Sequence, residues 1–158
     1  MLCSFNKARG DTALHAAVTA DNPELVTVLL DAGLTTHIND TNMHNDTAAV
    51  QAAYLNRPKV LAVLIARGAD LVKGYPLHVA ARFCHIETTS MLLDAGIDIN
   101  SFDRDDHTPL DLVDNDKREE SMKERVYTDD RFEKMINFLI SRGGKTSTEL
   151  HARLFHKL

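Results

Sequence analysis

Apolar residues along this chain come in paired bursts. A short one built around adjacent alanines, Leu14-His15-Ala16-Ala17, follows Gly10-Asp11-Thr12-Ala13 and leads to a longer one, Leu25-Val26-Thr27-Val28-Leu29-Leu30, that closes on Gly33. Both read as helices, the second more apolar than the first. The pair then returns. Asn45-Asp46-Thr47-Ala48-Ala49-Val50-Gln51-Ala52-Ala53, Gly74-Tyr75-Pro76-Leu77-His78-Val79-Ala80-Ala81 and Asp106-His107-Thr108-Pro109-Leu110-Asp111-Leu112 restart the short helix, and the longer ones end at Gly68, Gly96 and Gly143. Twenty-one residues separate Thr12 from Gly33, Thr47 from Gly68 and Tyr75 from Gly96, while 35 separate Thr108 from Gly143. A fixed period of this size marks a repeat protein, in which each unit buries its apolar face on its neighbours.

Local chemistry supports the same boundaries. Pro76 and Pro109 suit a first helical turn, where the missing N–H costs nothing and φ is pre-set, and a threonine ahead of that turn can cap it. Pro23 and Pro58 do the same for the second helices. Gly33, Gly68, Gly96 and Gly143 fit left-handed caps at the helix ends. The paired alanines let a short helix lie close to its neighbour.

On these residues the sequence resembles the ankyrin-repeat family, with its Thr-Pro-Leu-His-x-Ala-Ala start and Leu-Leu-x-x-Gly-Ala-Asp end. The resemblance implies an all-α ankyrin-repeat solenoid of stacked antiparallel helix pairs with projecting hairpin-like fingers. It covers one domain, with copies at about 6–41, 42–70, 71–102 and 103–145 and a C-terminal helix over 147–158. His15 and His78 fall on the family's histidine, which the resemblance implies is a hydrogen-bonding element between neighbouring turns. The fingers are expected over 34–45, 69–74 and 97–106.

Three departures modify that picture. Thr47 and Tyr75 lie 28 residues apart, against 35 before and 33 after, which predicts a stunted second finger. Copy two carries Ala49 and Val50 in place of leucine and histidine. Copy four holds a 14-residue excess within the charged stretch 114–131, expected as a lengthened first helix and a loop. Copy one has no helix pair before it, so it must cap itself, with Thr19, Thr27 and Asp31 softening its outer side.

Composition narrows the function. Of 158 residues, 44% are apolar and 26% charged, a soluble single-domain profile with no tryptophan and nine Phe plus Tyr. The formal charge of −5 and the lack of a basic stripe argue against nucleic-acid binding. Cys3 and Cys84 lack metal or redox spacing and read as reduced thiols. No signal segment or membrane-length apolar run is visible, so a cytoplasmic location is expected, the host cytoplasm in the case of an effector.

Catalytic and metal chemistry find little footing. Gly143-Gly144-Lys145-Thr146 imitates the end of a phosphate loop, but the required earlier glycine is Leu139, so a helix C-cap is expected. His78, Cys84 and His85 lack the four-ligand, cysteine-rich spacing of structural zinc. No nucleophile has a base at a recognisable spacing. Neither an enzyme, a cofactor nor a metal site is expected; a metal-dependent enzyme is the weakest of the alternatives.

What remains is a surface. The resemblance implies binding of a partner protein on the concave face, by finger tips and first helices. Mapped onto this chain, that gives Tyr54, Leu55, Arg82 and Phe83 after the alanine pairs, and Phe102, Arg104 and His107 on a finger. Aromatic, leucine and arginine side chains at outward positions have the profile of a binding hot spot. Leu92 followed eight residues on by Asn100 is the pattern that asparaginyl hydroxylases accept in ankyrin fingers; otherwise Asn100 turns the chain by bonding its own backbone. The expected protein is a non-catalytic, monomeric adaptor with no membrane or nucleic-acid partner. The alternatives are a regulatory segment working beside another domain, or a bacterial, host-directed effector that uses 114–131 as a separate contact.

Overall fold

The computed structural model describes residues 10–113 and 130–155, with side chains placed up to Ala152. The expected lengthened helix and loop of copy four fall largely on 114–129, outside the described residues. The chain divides into two compact units, Met1–Pro76 and Leu77–Leu158. Among the described residues every regular element is helical.

In the first unit, α1 (Ala13–Thr19) and α2 (Pro23–Asp31) form one pair, and α3 (Ala48–Tyr54) and α4 (Pro58–Ala66) the next. Each pair begins at a polar cap. Thr12 Oγ1 accepts from the His15 amide, while the His15 ring nitrogen Nδ1 accepts from the Thr12 amide at 3.2 Å, a capping box with histidine in the usual place of glutamate. Asn22 and Thr47 cap α2 and α3 in the simpler way. α1 packs on α2 and on α3, and α4 packs on both α2 and α3. The apolar stripes meet there, burying Val18, Val26, Leu30, Ala53, Val60, Leu61 and Leu64.

The second unit opens with α5 (Pro76–Arg82) and α6 (Ile86–Asp94). It continues with α7, helical over the described residues 109–113, then α8 (Asp130–Ser141) and α9 (Ser147–Phe155). Ala81, Leu110, Val113, Met135 and Leu139 form its buried centre, with Cys84, Ile86, Ile99, Phe132, Ile136 and Phe138 packed around them.

The glycine stops act as the spacing predicts. Gly143 has φ +91°, its amide donates to Ile140 O at 3.0 Å, and the Gly144 amide donates to Leu139 O at 2.8 Å. That is the paired closure of a Schellman cap. Both glycine amides are therefore spent on α8, which leaves no phosphate cradle at Gly143–Thr146.

The fingers share one device. Asn42 Oδ1 accepts from the amides of His44 and Asp46, and Asp103 Oδ1 accepts from those of Asp105 and His107. In the stunted finger Asp70 Oδ1 takes the amides of Val72 and Lys73 instead, and Tyr75 N–H closes on Val72 O. Gly74 fixes how close that finger lies: its φ is +76°, and a Cβ there would stand 2.7 Å from Val50 Cγ2. Gly74→Ala is expected to destabilise the chain by about 1–2 kcal/mol, read from the denaturation midpoint. An unchanged midpoint would mean that the short finger yields freely.

One expectation for copy one is corrected. Thr19 and Asp31 do not soften an outer end; they reach into copy two, where Gln51 Nε2 donates to Thr19 Oγ1 at 2.8 Å and Arg67 meets Asp31 at 2.6 Å. Leu25 and Val28 stand exposed instead.

Candidate functional site

The hydrogen bonds joining successive copies position everything outward of them. His15 is fully buried, and with its Nδ1 accepting from Thr12 the remaining Nε2–H donates to Asp46 O at 2.9 Å. His78 repeats the role, Nε2 donating to Ser101 O at 3.0 Å and His107 O at 3.1 Å. Burial holds the His78 pKa below the ordinary imidazole value, despite the two carbonyls and Asp103, which favour the charged form. Buried Thr47 meets the backbone of copy two, which has no imidazole, through its own cap to Val50 N.

Copy four inverts the polarity of this link. Asp111 stands in the histidine position, and its Oδ2 accepts from Thr108 N, Thr108 Oγ1 and Ser147 N at 2.8–2.9 Å. Burial pushes its pKa up, but the hydrogen bonds from Thr108 and Ser147 outweigh that and leave it below the usual carboxylate value. The single Thr108 hydroxyl proton is shared between Asp111 Oδ2 and Lys145 O, the latter 2.7 Å from Thr108 Oγ1. Asp111→Ala is expected to loosen α9, with amide exchange at 147–152 quickening about tenfold while that of α6 is unchanged. Equal protection in both proteins would show that Asp111 does not anchor the helix.

Of the residues singled out in the sequence, Tyr54 and Leu55 lie in the first unit and the rest in the second. Tyr54 ends α3 and is 52% exposed, with Leu55 half-buried after it. Arg82 ends α5 and is exposed; Phe83 follows at 43% exposure, its ring stacked 6.1 Å from that of His85. Arg104 is exposed at the finger turn. Two of these residues also have partners within the chain. Phe102, 39% exposed, is not a bare finger tip: its ring lies nearly parallel to His151 of α9, 5.7 Å away. His107 is half-buried, its amide and carbonyl both used inside the stack.

Asn100 does not turn the chain on its own backbone. Its Nδ2 donates to Gly143 O at 3.2 Å and its Oδ1 accepts from Lys145 N at 2.8 Å, so the side chain fastens the end of α8 to the third finger. No local signal could reveal partners more than 40 residues away.

Asp103, Asp105 and His107 bring ligand-type atoms within 4.8 Å of one another. One Asp103 oxygen already accepts the two amides that shape the finger, and burial, charge and geometry there serve the turn. Among the described residues no helix is long and apolar enough to cross a membrane.

The class defined by these features is a helix-pair repeat in which His15, His78 and Asp111, at the third position of their first helices, bond the backbone beside the next helix cap. The chain belongs to the ankyrin-repeat family. Its residues 2–74 match the family description of ankyrin repeats (3 copies), and residues 77–113 that of ankyrin repeats (many copies). It is 34% identical over 105 residues to the E3 ubiquitin-protein ligase XBAT32 of Arabidopsis thaliana, covering 66% of this chain and 20% of that protein. It is 28% identical over 120 residues to the transient receptor potential cation channel subfamily A member 1 of Drosophila melanogaster, covering 71% of this chain and 10% of the channel. The chain thus spans a fifth or less of the length of these relatives. Ankyrin repeats are generally protein–protein interaction modules and typically non-catalytic.

Proposed function

We propose that this chain is a non-catalytic adaptor that holds a partner protein through the ends of its first helices and its fingers. The contact residues are Tyr54 and Leu55 from the first unit, and Arg82, Phe83, Phe102, Arg104 and His107 from the second. One observation carries the reading: within the two positions that follow the buried alanine pairs of copies two and three, each copy keeps one aromatic ring about half exposed, Tyr54 at the first position and Phe83 at the second. Neither ring is among the buried core side chains, and half-exposed aromatics have the profile of interface anchors. His107 contributes its ring edge alone, since its backbone is committed to the stack.

The double variant Tyr54→Ala/Phe83→Ala is expected to recover at least tenfold less partner in affinity capture followed by mass spectrometry, with an unchanged melting temperature. Undiminished recovery would remove this surface from the account. Hydroxylation of Asn100 is not part of the proposal, because its amide is doubly engaged. A cytoplasmic setting and a monomeric state suit an adaptor of this kind. A host-directed effector role would rest on residues 114–131, most of which lie outside the described chain.

A further inference from the structure

The first unit carries its most exposed apolar side chains at its finger turns. Met43 and Val72 are each 72% exposed, more than any other large apolar residue described. The two turns are fixed against each other. Asp70 N–H donates to Asn39 Oδ1 at 2.8 Å, Lys73 Nζ donates to Asn39 O at 2.9 Å, and a Cβ on Gly74 would stand 3.7 Å from Asn45 O. Met43 is also held from beneath, since a Cβ on Gly10 would lie 2.8 Å from its Cγ. Two tied turns therefore present apolar side chains to water on backbone that is already ordered.

The charge around them is mostly of one sign. Residues 10–56 contain six Asp and Glu and no Lys or Arg. Arg57 and Arg67, at the two ends of α4, meet Asp21 and Asp31. Asp11, Asp40, Asp46 and Asp70 remain on or beside the fingers. Three of them are occupied: Asp11 accepts from Asn42 Nδ2, Asp40 from His37, and Asp70 from the amides of its own turn. Asp46 differs. Its amide and carbonyl are bonded to Asn42 and His15, but its carboxylate meets no donor among the described residues. Burial pushes its pKa above the ordinary carboxylate value, against His44 and His15 and with Asp11 acting in the same sense as burial. Ionised, it is a partly desolvated anion that lacks a counter-charge.

Register links this turn to the contact residues already assigned. The third finger repeats the turn from Asp103 to His107, which puts Met43 in the place of Arg104 and Asp46 in that of His107. We propose that the finger turns of the first unit dock an arginine-rich segment of a partner protein, its aliphatic stems lying on Met43 and Val72 and one guanidinium seated at Asp46. The inference rests on reading the fingers as a contact surface. Arginine suits both features at once, because its methylene stem covers apolar surface while its head pairs with a carboxylate. A wholly apolar segment would leave Asp46 uncompensated, and an acidic one would be repelled.

The probe is a fluorescein-labelled octa-arginine peptide, titrated with the full chain in fluorescence anisotropy at physiological ionic strength. Saturable binding is expected, weakened at least about tenfold by Asp46→Asn and about threefold by Met43→Ser/Val72→Ser. Glu24→Gln removes the same charge from α2 and should leave the affinity within about twofold. Lack of saturable binding, or equal losses in Asp46→Asn and Glu24→Gln, would overturn the proposal, the second by showing a diffuse field in place of a site. An unchanged isotherm in Met43→Ser/Val72→Ser would overturn it too. So would a wild-type dimer in sedimentation velocity that this double variant dissolves, since a second copy then covers the patch. All these variants should keep the wild-type circular dichroism melt; a clear fall in Asp46→Asn would overturn the proposal by showing its carboxylate spent within the fold. Partner capture with Tyr54→Ala/Phe83→Ala tests the broader reading separately, so either can fail while the other stands.

Discussion

Leu139→Ala will cost about 3 kcal/mol of stability, and Ile140→Ala, one residue further on, less than about 1 kcal/mol. Both side chains belong to the apolar run Phe138-Leu139-Ile140 of α8, and adjacent residues point about 100° apart around a helix. The stack separates them. Leu139 is fully buried among Ala81, Leu110, Val113 and Met135, whereas Ile140 is 55% exposed. Truncating the leucine removes three heavy atoms from a close-packed site and leaves a cavity; truncating the isoleucine only trims surface that water already reaches. Urea denaturation of both variants checks this. Equal losses would mean that α8 is rotated from the register described.

The second large effect is expected at His78. His78→Ala removes a buried side chain and takes a donor from the carbonyls of Ser101 and His107, the second of which keeps the Asp103 amide, for a loss of about 2–4 kcal/mol at neutral pH. The imidazole also makes stability depend on pH in a fixed direction. Its pKa is below the ordinary 6.5 in the folded chain, so the unfolded chain binds the proton more readily. Its contribution is therefore complete above about pH 6.5 and declines as the pH falls through the folded value. The wild-type midpoint should drop between pH 7.5 and pH 5, and the His78→Ala midpoint should drop less over the same interval. Parallel slopes would show that another group carries the titration.

These two residues illustrate what a linear reading can and cannot reach. Thr12, Pro23, Pro76 and the closing glycines act on their own turns, so their roles follow from spacing alone, and with them the helix pairs and the family. The outcome at Asn100, Asp111 and Phe102 depends on partners brought in from residues 143–151, at separations where sequence carries no local trace. Asp111 departs from the histidine of the motif, and the reason is visible only in space: the neighbouring segment offers an amide where earlier copies offer a carbonyl. The exposed ring of Phe102 suggested a contact point, and His151 shares it. Tyr54, the last residue of α3, and Phe83, the first after α5, are each about half exposed.

Site-specific photo-crosslinking tests the central claim most directly. A benzophenone amino acid is placed in turn at Tyr54, Phe83 and Val28, the last an exposed position on a second helix, and the full chain is irradiated with its captured partner. Adducts from positions 54 and 83 and none from 28 are the predicted result. Equal adducts at all three, or adducts at 28 alone, would contradict binding through the first helices and fingers.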